Sequence, residues 1–422
     1  MSDETNWAGN YRYRAERILH PTSVAELQDA VAAADRIHAL GTRHSFNDLP
    51  DTTGTLVSVD QLPQAVRIDA ETRVATVAAG MRYGDVGIAL HEQGWALGNL
   101  ASLPHISVAG AIATGTHGSG NRSGNLSSAV AGITFVDGSG ELITLRRGDP
   151  GFGGAVVGVG ALGVTTEVSL DIRPTFEVSQ QVYVDLPWDR VLSDFDAITD
   201  SAYSVSLFTA WRGDTVSQVW RKSAIGAHTA APSTSVESDD FFGARAATVP
   251  LHMLPGMSPE NCTQQLGVPG PWHERLPHFR LAFTPSNGEE IQSEYLMDRR
   301  HATAAIEALR PLAELLAPVL QITEIRTMAA DDLWLSPAFG VDTVAFHFTW
   351  VRDQAGVEAV LPAIEAVLAP FAARPHWGKA FLDLNGVVPS LYPRMADFRQ
   401  LAQRHDPRGV FRNEFLERHV FG

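Results

Sequence analysis

A run of small residues, ASLPHISVAGAIATGTHGSGNRSGN at positions 101–125, sets the strongest local constraint on how this chain can fold. Its glycines alternate with serine, threonine and alanine, and they are Gly110, Gly115, Gly118, Gly120 and Gly124. Such a run lets backbone N–H groups come close to an anion, and its hydroxyl groups can complete the hydrogen bonding. A tight surface loop is the simpler interpretation, but the length of the run and its two histidines, His105 and His117, favour a binding site.

The first 175 residues mix helical and strand patterns. TSVAELQDAVAAADRI predicts a helix capped by Ser23, and RYGDVGIALHEQG predicts a second helix that ends at Gly94. GTLVSVDQL, AVRIDAETRVATVAAG and AGITFVDGSGELITL predict strands, the last two with hairpin turns at DAET and DGSG. The sequence therefore predicts an α+β fold with many short strands.

The chain divides into three predicted parts, which suits a length of 422 residues. Residues 1–175 form a first domain, residues 176–370 a second domain, and residues 371–422 a short segment that docks back on the first. In the second part, DRRHATAAIEALRPLAELLAP and VEAVLPAIEAVLAPFA predict helices, whereas VLQITEIRTM and TVAFHFTWV predict strands. The stretch near 225–260, including IGAHTAAPSTSVESDD, has the composition of a loop.

Composition argues against several classes of protein. The formal net charge of −16 repels phosphate backbones and anionic lipid, so we expect no nucleic acid and no membrane partner. Cys262 is the only cysteine, which excludes an internal disulfide. Met1–Asn10 lacks the pattern of a signal peptide, and the longest apolar tract is short and contains glycine. We therefore expect a cytoplasmic protein.

Two motifs resemble known sites but lack what those sites require. GVGALG at 158–163 fits the dinucleotide motif, with Glu177 at a suitable distance, but a strand pattern follows it where a helix is needed. HERLPH at 273–278 has one residue too many for the zinc motif H-E-x-x-H, and Pro277 breaks the helix. No G-x-S-x-G motif occurs. We expect neither a nicotinamide cofactor nor a metal.

A histidine and two polar pairs carry the candidate chemistry. His44 lies in the loop GTRHSFN. Its imidazole either forms hydrogen bonds within its own loop or is attached to another group. In TEIRT, Glu324 and Arg326 are two residues apart on a predicted strand and share a face, as do His347 and Thr349 in FHFTW. Lys379 in HWGK could complete a polar patch suited to a polyol, whose hydroxyl groups both donate and accept hydrogen bonds. An exposed sheet face with ion pairs is the alternative.

The segments GTRHSFN, ASLPHISVAGAIATGTHGSG, EIRT, HFTW and RPHWGK together resemble the alditol oxidases, of the vanillyl-alcohol oxidase flavoprotein superfamily. The resemblance extends from NWAGN to the C-terminal tail. It implies a two-domain vanillyl-alcohol oxidase-type (PCMH-type) FAD-binding fold, in which a central α/β cap domain covers the flavin ring. The family attaches FAD covalently through a histidine in the position of His44, and relatives often have glycine where this chain has Arg43.

The resemblance also implies the cofactor contacts. Ala101 would lie beside the flavin carbon that reacts with dioxygen, and Ser102 would face both flavin and substrate. The other flavin contacts would be Gly41, Thr42, Arg43, Ser45, Phe46, Ser107, Gly110, Thr114, Gly115, Thr116, His117, Val164 and His376.

The implied reaction is hydride transfer from a terminal carbinol carbon of xylitol or sorbitol to flavin N(5), with dioxygen reduced to hydrogen peroxide. Arg326 and Lys379 would lower the pKa of the reacting hydroxyl group, and Glu324 and Ser102 would orient the adjacent one. His347 and Thr349 would bind farther along the polyol.

Two other functions stay open. An aldonolactone oxidase or dehydrogenase of the same superfamily would share the FAD site, and a non-catalytic sugar- or flavin-binding protein would not turn over. If Glu324 and Arg326 bind the substrate in a solvent-filled site, replacing them should affect activity far more than stability. If they form an exposed ion pair, activity should stay near normal and any effect should be a small one on stability.

Overall fold

The computed structural model describes residues 4–226, 240–283 and 290–422. Short strands dominate the first part of the chain and longer ones the second. The strands are β1 (Arg17–Leu19), β2 (Ile37–Ala39), β3 (Thr55–Val57), β4 (Val66–Asp69), β5 (Val74–Ala78), β6 (Trp95–Ala96), β7 (Val130–Asp137), β8 (Leu142–Arg146), β9 (Gly163–Asp171), β10 (Arg173–Pro174), β11 (Glu177–Pro187), β12 (Ser204–Thr209), β13 (Thr215–Ile225), β14 (Asp240–Phe241), β15 (Ala244–Ala246), β16 (Gly270–Pro271), β17 (Glu290–Asp298), β18 (Leu320–Met328), β19 (Thr343–Val351) and β20 (Arg374–Pro375). The α-helices are α1 (Val24–Ala33), α2 (Tyr83–Glu92), α3 (Val108–Ala113), α4 (Phe152–Val156), α5 (Trp188–Thr199), α6 (Ala302–Leu309), α7 (Ala313–Leu316), α8 (Gln354–Leu368), α9 (Met395–His405) and α10 (Glu414–Leu416).

Helix α1 begins where the sequence predicts. The Ser23 hydroxyl group accepts a hydrogen bond from the Glu26 amide at 3.2 Å, and the Glu26 carboxylate accepts one from the Thr22 amide at 2.7 Å. Leu27 and Val31 are fully buried on its inner face. Local sequence signals are therefore sufficient to place this helix.

Three sheets lie in the N-terminal part, the smallest of which is the pair β6 and β10. Strands β1, β3 and β2 form a small parallel sheet, and β4-β5-β9-β7-β8 form an antiparallel sheet. Both predicted hairpins are confirmed, between β4 and β5 and between β7 and β8. The Asp137 carboxylate accepts hydrogen bonds from the amides of Ser139 and Glu141, which fixes the second turn. β9 follows the GVGALG motif directly, as predicted, so no helix is available there for a pyrophosphate.

The second part is built on a ten-stranded sheet with the order β14-β15-β11-β13-β12-β18-β19-β17-β20, to which β16 adds beside β11. We call it the cap sheet. Alternation along its strands separates two faces. Ile325, Phe346 and Phe348 face a core shared with α5, α6 and α8, whereas Glu324 and His347 face the other way. One side of the cap sheet is therefore an apolar core and the other carries polar groups.

The stretch near 225–260 corrects one prediction. It contains the paired strands β14 and β15, which join the edge of the cap sheet beside β11, so it is not all loop. Gly243, with a φ of +89°, makes the turn between them. Long-range pairing with β11 stabilises strands that are too short to recognise by pattern. Residues 227–239 of this stretch lie outside the described ranges.

Among the described helices, Gln354–Phe371 is long and apolar enough to cross a membrane by length and composition alone. In the fold, Val357, Leu361 and Ile364 on this segment are at most 1% exposed and pack in the core of the cap sheet. Packing against that core accounts for the apolar face of the helix.

The last part of the chain returns to the N-terminal core. Tyr392, Phe398 and Phe415 belong to the same buried cluster as residues of β5 and β9. β20 still pairs with β17, so the cap sheet extends beyond residue 370. The three-part division of the chain otherwise stays a prediction.

Candidate active site

A cavity of about 910 Å³ is lined by residues of both parts of the chain. Its wall includes nearly all the predicted contacts: Gly41, Thr42, Arg43, His44, Ser45, Phe46, Ala101, Ser102, Ser107, Gly110, Thr114, Thr116, His117, Val164, Glu324, Arg326, His347, Thr349, His376 and Lys379. Gly115 lies outside the lining, and its predicted contact with the flavin stays a prediction. Its φ of +67° turns the chain, and a Cβ there would lie 2.9 Å from Cδ of Pro337.

Close backbone approach defines the end of the cavity near the glycine-rich run. A Cβ added to Gly41 would lie 2.8 Å from Oγ of Ser107, and one added to Gly110 would lie 2.9 Å from the same atom. Ser107 Oγ is buried without a hydrogen-bond partner in the described parts of the chain. A buried hydroxyl group between two glycines suits a bound polar ligand, and so fits the predicted FAD.

One ring nitrogen of His44 contacts its own loop, and the other has no partner among the described residues. Its Nδ1 lies 3.1 Å from Oγ1 of Thr42, and Trp7 stacks on the ring at a centroid distance of 5.1 Å. Its Nε2 is buried with no partner among residues 4–226, 240–283 and 290–422. Burial, assisted by the charge of Lys379, lowers the pKa of His44 to about 4. The imidazole is therefore neutral, with one ring nitrogen uncommitted.

Segments from both ends of the chain enclose the His44 loop. The Trp7 amide donates to the Arg43 carbonyl at 2.8 Å, and the Phe46 amide donates to the Gly378 carbonyl at 2.8 Å. The Asn47 side chain donates to the carbonyls of Trp377 and Lys379. Arg418 forms an ion pair with Asp48 at 2.7 Å. Arg43 itself has a φ of +64°, which glycine adopts without strain.

The predicted polar pairs meet in a buried network. Nη2 of Arg326 lies 2.5 Å from Oε1 of Glu294, and Nε of Arg326 lies 3.6 Å from Oε2 of Glu324. Nη1 of Arg326 also reaches Oγ of Ser102 at 3.4 Å. Glu324 is 5% exposed and Arg326 6%. This burial excludes the exposed ion-pair interpretation.

Glu294, on β17, is a central residue that the sequence analysis missed. Its carboxylate lies 3.1 Å from Nε2 of His117 and 3.5 Å from Nδ1 of His347, besides the contact with Arg326. In EIQSEY, Glu290, Gln292 and Glu294 alternate along one face of the strand, the same signal that identified the other pairs. Gln292 accepts a hydrogen bond from Nζ of Lys379, so this face completes the patch.

Charges in this network stabilise one another. Burial opposes ionisation of both carboxylates, but the guanidinium of Arg326 and the neighbouring histidines lower the pKa values of Glu294 and Glu324 below the ordinary range. The pKa of Arg326 is raised, because the two carboxylates outweigh its burial. Burial lowers the pKa of Lys379 to about 8. Two cations and two carboxylates are thus held in one wall of the cavity.

His376 lies near the glycine-rich loop. Its Nδ1 accepts a hydrogen bond from the Gly378 amide at 3.1 Å, and its Nε2 lies 3.5 Å from Oγ1 of Thr116. Burial lowers its pKa well below the ordinary value. Within the described ranges no group of three or more histidine, cysteine, aspartate or glutamate residues could hold a metal ion.

Comparisons with known proteins show which families and which fold this chain resembles. A family model described as FAD binding domain matches residues 15–146, and one described as D-arabinono-1,4-lactone oxidase matches residues 284–419. The chain is 48% identical to an alditol oxidase of Streptomyces sp. (strain IKD472 / FERM P-14339), covering 98% of this chain and 97% of that protein. It is 26% identical to an L-gulono-1,4-lactone dehydrogenase of Mycobacterium tuberculosis, covering 98% of each. The crystal structure of a cholesterol oxidase from Brevibacterium sterolicum has the same fold, with a TM-score of 0.77 at 14% identity over 99% of this chain and 96% of that one.

Proposed function

Because the chain belongs to the alditol oxidase family of FAD-dependent flavoproteins, we propose that it oxidises the terminal primary hydroxyl group of an alditol such as xylitol or sorbitol. The products are the aldose and, from dioxygen, hydrogen peroxide. The observation that carries this proposal is the buried patch of cations, carboxylates and hydroxyl groups in the same cavity wall as the glycine cradle. Each hydroxyl group of a polyol needs both a donor and an acceptor, and this patch offers both.

When bound along Gly41, His44, Ser107 and Gly110, FAD would supply two-electron redox chemistry that removes a hydride from the alcohol and passes the electrons to dioxygen. The residues of this chain bind and polarise the alcohol. The charges of Arg326 and Lys379 lower the pKa of the reacting hydroxyl group and stabilise the negative charge that develops on it. Glu294 holds the Arg326 guanidinium in place through the 2.5 Å contact, so no reorganisation is needed when that charge develops.

The remaining polar groups set the position of the substrate. Glu324 and Ser102 both adjoin Arg326, so they can bind the hydroxyl group next to the reacting one. His347 and Thr349, with Nε2 and Oγ1 3.4 Å apart, bind hydroxyl groups farther along the chain. Burial lowers the pKa of His347, so its ring is neutral and can both donate and accept.

We extend the proposal to a covalent bond between FAD and His44. The support is a neutral imidazole with an uncommitted, buried nitrogen in the cavity wall. A neutral ring nitrogen has the lone pair that such a bond requires.

The decisive experiment is an absorbance spectrum of the purified protein recorded anaerobically before and after addition of xylitol. Bleaching of the flavin band, followed by its return with hydrogen peroxide when air is admitted, is the expected result. A spectrum that does not change with xylitol, sorbitol, mannitol or glycerol would contradict the proposal.

A lactone substrate is the second candidate. The match of residues 284–419 to the D-arabinono-1,4-lactone oxidase model and the 26% identity to a lactone dehydrogenase favour it. L-Gulono-1,4-lactone, tested in the same anaerobic experiment and with an artificial electron acceptor in place of dioxygen, separates the two candidates. The chain is an oxidoreductase, which sets aside the non-catalytic alternative.

The proposed reaction requires only a small polyol and dioxygen as partners. Absence of nucleic-acid and membrane partners, and a cytoplasmic location, stay predictions from composition.

A further inference from the structure

Three buried side chains form a hydrogen-bonded chain that ends at Glu324. Nζ of Lys222, on β13, lies 3.1 Å from Nδ1 of His278, and Nε2 of His278 lies 2.7 Å from Oε1 of Glu324. Lys222 is 1% exposed, and His278 and Glu324 are each 5% exposed. His278 and Glu324 line the cavity, whereas Lys222 is not part of its wall. The reaction described above makes no use of Lys222 or His278.

Proton counting fixes the tautomer of His278. An ammonium group has three N–H donors and no acceptor. Within the described ranges, three acceptors surround Nζ of Lys222: the carbonyls of Leu276 and Pro277 and Nδ1 of His278. Nδ1 therefore accepts, and the ring proton lies on Nε2, where it is donated to Glu324. Burial and the charge of Lys222 lower the pKa of His278 to about 4, which keeps the ring neutral.

The surroundings hold the His278 ring in one orientation. Trp220 and Phe208 pack edge-on against it, at centroid distances of 5.1 and 5.6 Å. The His278 backbone amide also donates to the Ser102 carbonyl at 3.0 Å. His278 thus contacts both of the residues to which we assign the hydroxyl group adjacent to the reacting one.

Oε1 of Glu324 accepts the hydrogen bond from His278, whereas Oε2 lies 3.6 Å from Nε of Arg326 and accepts no hydrogen bond from the described residues, so Oε2 is the oxygen best placed to accept from a substrate hydroxyl group. We infer that Lys222 and His278 are positioning residues, which lock the Glu324 carboxylate so that Oε2 is presented to the polyol. This inference rests on the proposed function, since it assigns Glu324 to substrate binding. An apolar side chain in place of Lys222 would avoid the desolvation of a buried charge, so filling space does not explain a lysine there.

Two substitutions of His278 separate positioning from packing. In His278→Gln the side-chain amide nitrogen takes the place of Nε2 and keeps the donor to Glu324. In His278→Asn the side-chain oxygen takes the place of Nδ1 and keeps the acceptor for Lys222, but the donor to Glu324 is lost. Both variants remove the ring, but asparagine is one methylene shorter than glutamine and leaves a larger cavity. A melting curve for each variant therefore measures its loss of packing separately from its effect on the Kd.

Binding and chemistry are measured by anaerobic stopped-flow reduction with xylitol at pH 6. Burial lowers the pKa of Lys222 to about 7, against the opposing effects of Glu324 and Cys262, so the ammonium form predominates at that pH. We expect His278→Asn to raise the Kd for xylitol about tenfold or more, the usual effect of losing a hydrogen bond to a charged group, with a smaller change in the limiting rate. His278→Gln should stay within about threefold of wild type.

A double-mutant cycle tests whether Lys222 acts through His278. Lys222→Met should raise the Kd, but adding it to His278→Asn should cause no further loss, because the path to Glu324 is already broken. Additive effects, or equal effects of the Gln and Asn variants, would overturn the inference.

If His278→Asn does not accumulate, Lys222→Met is compared with His278→Gln instead. The inference then requires that Lys222→Met raises the Kd for xylitol and that His278→Gln does not. A wild-type protein that no polyol reduces would overturn the proposed function and this inference together, whereas an active wild type with an unchanged His278→Asn would overturn the inference alone.

Discussion

Arg326 connects two buried carboxylates, and its removal should therefore affect both chemistry and stability. Arg326→Ala leaves Glu294, 2% exposed, without its cationic partner. We expect the free energy of unfolding to fall by about 3–5 kcal/mol, the usual effect of breaking a buried ion pair, and flavin reduction to slow strongly. This revises the expectation of little change in stability, which assumed a solvent-filled site. A melting curve beside stopped-flow reduction measures both, and a normal reduction rate would remove Arg326 from the active site.

Glu324→Gln is a milder change at the same network. The amide keeps the shape of the side chain but loses charge-assisted hydrogen bonding worth about 1.5–3 kcal/mol. We expect kcat/KM for xylitol to fall roughly ten- to two-hundred-fold. Glu314→Gln is the matched control, because that side chain is 86% exposed in its ion pair with Arg212 and should change neither activity nor stability.

The proposed flavin bond depends on the single residue His44. Wild-type protein precipitated with acid should remain yellow, and its band should fluoresce in a denaturing gel. His44→Ala should release its flavin under the same treatment, because no ring nitrogen remains to hold it. Colour that washes completely from the wild-type precipitate would contradict the covalent bond.

Lys379 predicts an alkaline limit to catalysis. Burial lowers its pKa from the ordinary 10.5 to about 8, so its charge is present below pH 8 and is lost as the pH rises through that value. We expect its contribution to flavin reduction to fall over the same range, and Lys379→Arg to shift that fall to higher pH. Between pH 8 and 10.5 the Lys379 amine is protonated in the unfolded chain but neutral in the folded protein. The unfolded state therefore binds more protons in this range, so the free energy of unfolding rises with pH there. A reduction-rate profile that Lys379→Arg leaves unchanged would exclude this role.

At the scale of the element, the alternation of residues predicted strands β18 and β19 and which of their side chains share a face, but it did not predict that β17 contributes to the site. The reason lies in the residues that surround the polar side chains of each strand. Glu324, Arg326 and His347 lie among β-branched and aromatic neighbours that indicate burial, whereas Glu290 and Glu294 lie in a polar stretch that resembles a surface. Pairing of β17 with β19 buries these residues, and that pairing joins segments far apart in the chain. His278 was missed because only the tertiary fold brings it to Glu324.

The glycine-rich loop offers a test at the same scale. A Cβ at Gly118 would lie 2.3 Å from the Leu100 carbonyl oxygen, a backbone atom, so Gly118→Ala must displace the loop that carries Thr116 and His117. We expect weaker flavin retention and a loss of about 1–3 kcal/mol in unfolding free energy. Gly98→Ala is the control, because no atom lies within 4 Å of a Cβ there. Equal flavin content and melting temperature in both variants would show that the loop tolerates movement.

For the whole molecule, the predicted α+β FAD-binding fold is confirmed by the match to the FAD-binding family and by the shared fold with cholesterol oxidase. Local signals such as the Ser23 cap and the Asp137 turn were sufficient for individual elements. Strand order in the cap sheet was not predictable, because β18 lies between β12 and β19 through contacts that no local pattern encodes. The prediction that motifs far apart in the sequence share one site came from the resemblance to a family, because periodicity carries no information about which segments meet.

The enclosure of the His44 loop has a consequence for biosynthesis. Trp7 stacks on one side of the loop, while Gly378 and Arg418 bind Phe46 and Asp48 from segments that leave the ribosome hundreds of residues later. A nascent chain that already displays the histidine therefore lacks the walls that would bury it. On the proposed chemistry, we therefore expect His44 to react with the flavin only after Trp7, Gly378 and Arg418 have packed against its loop.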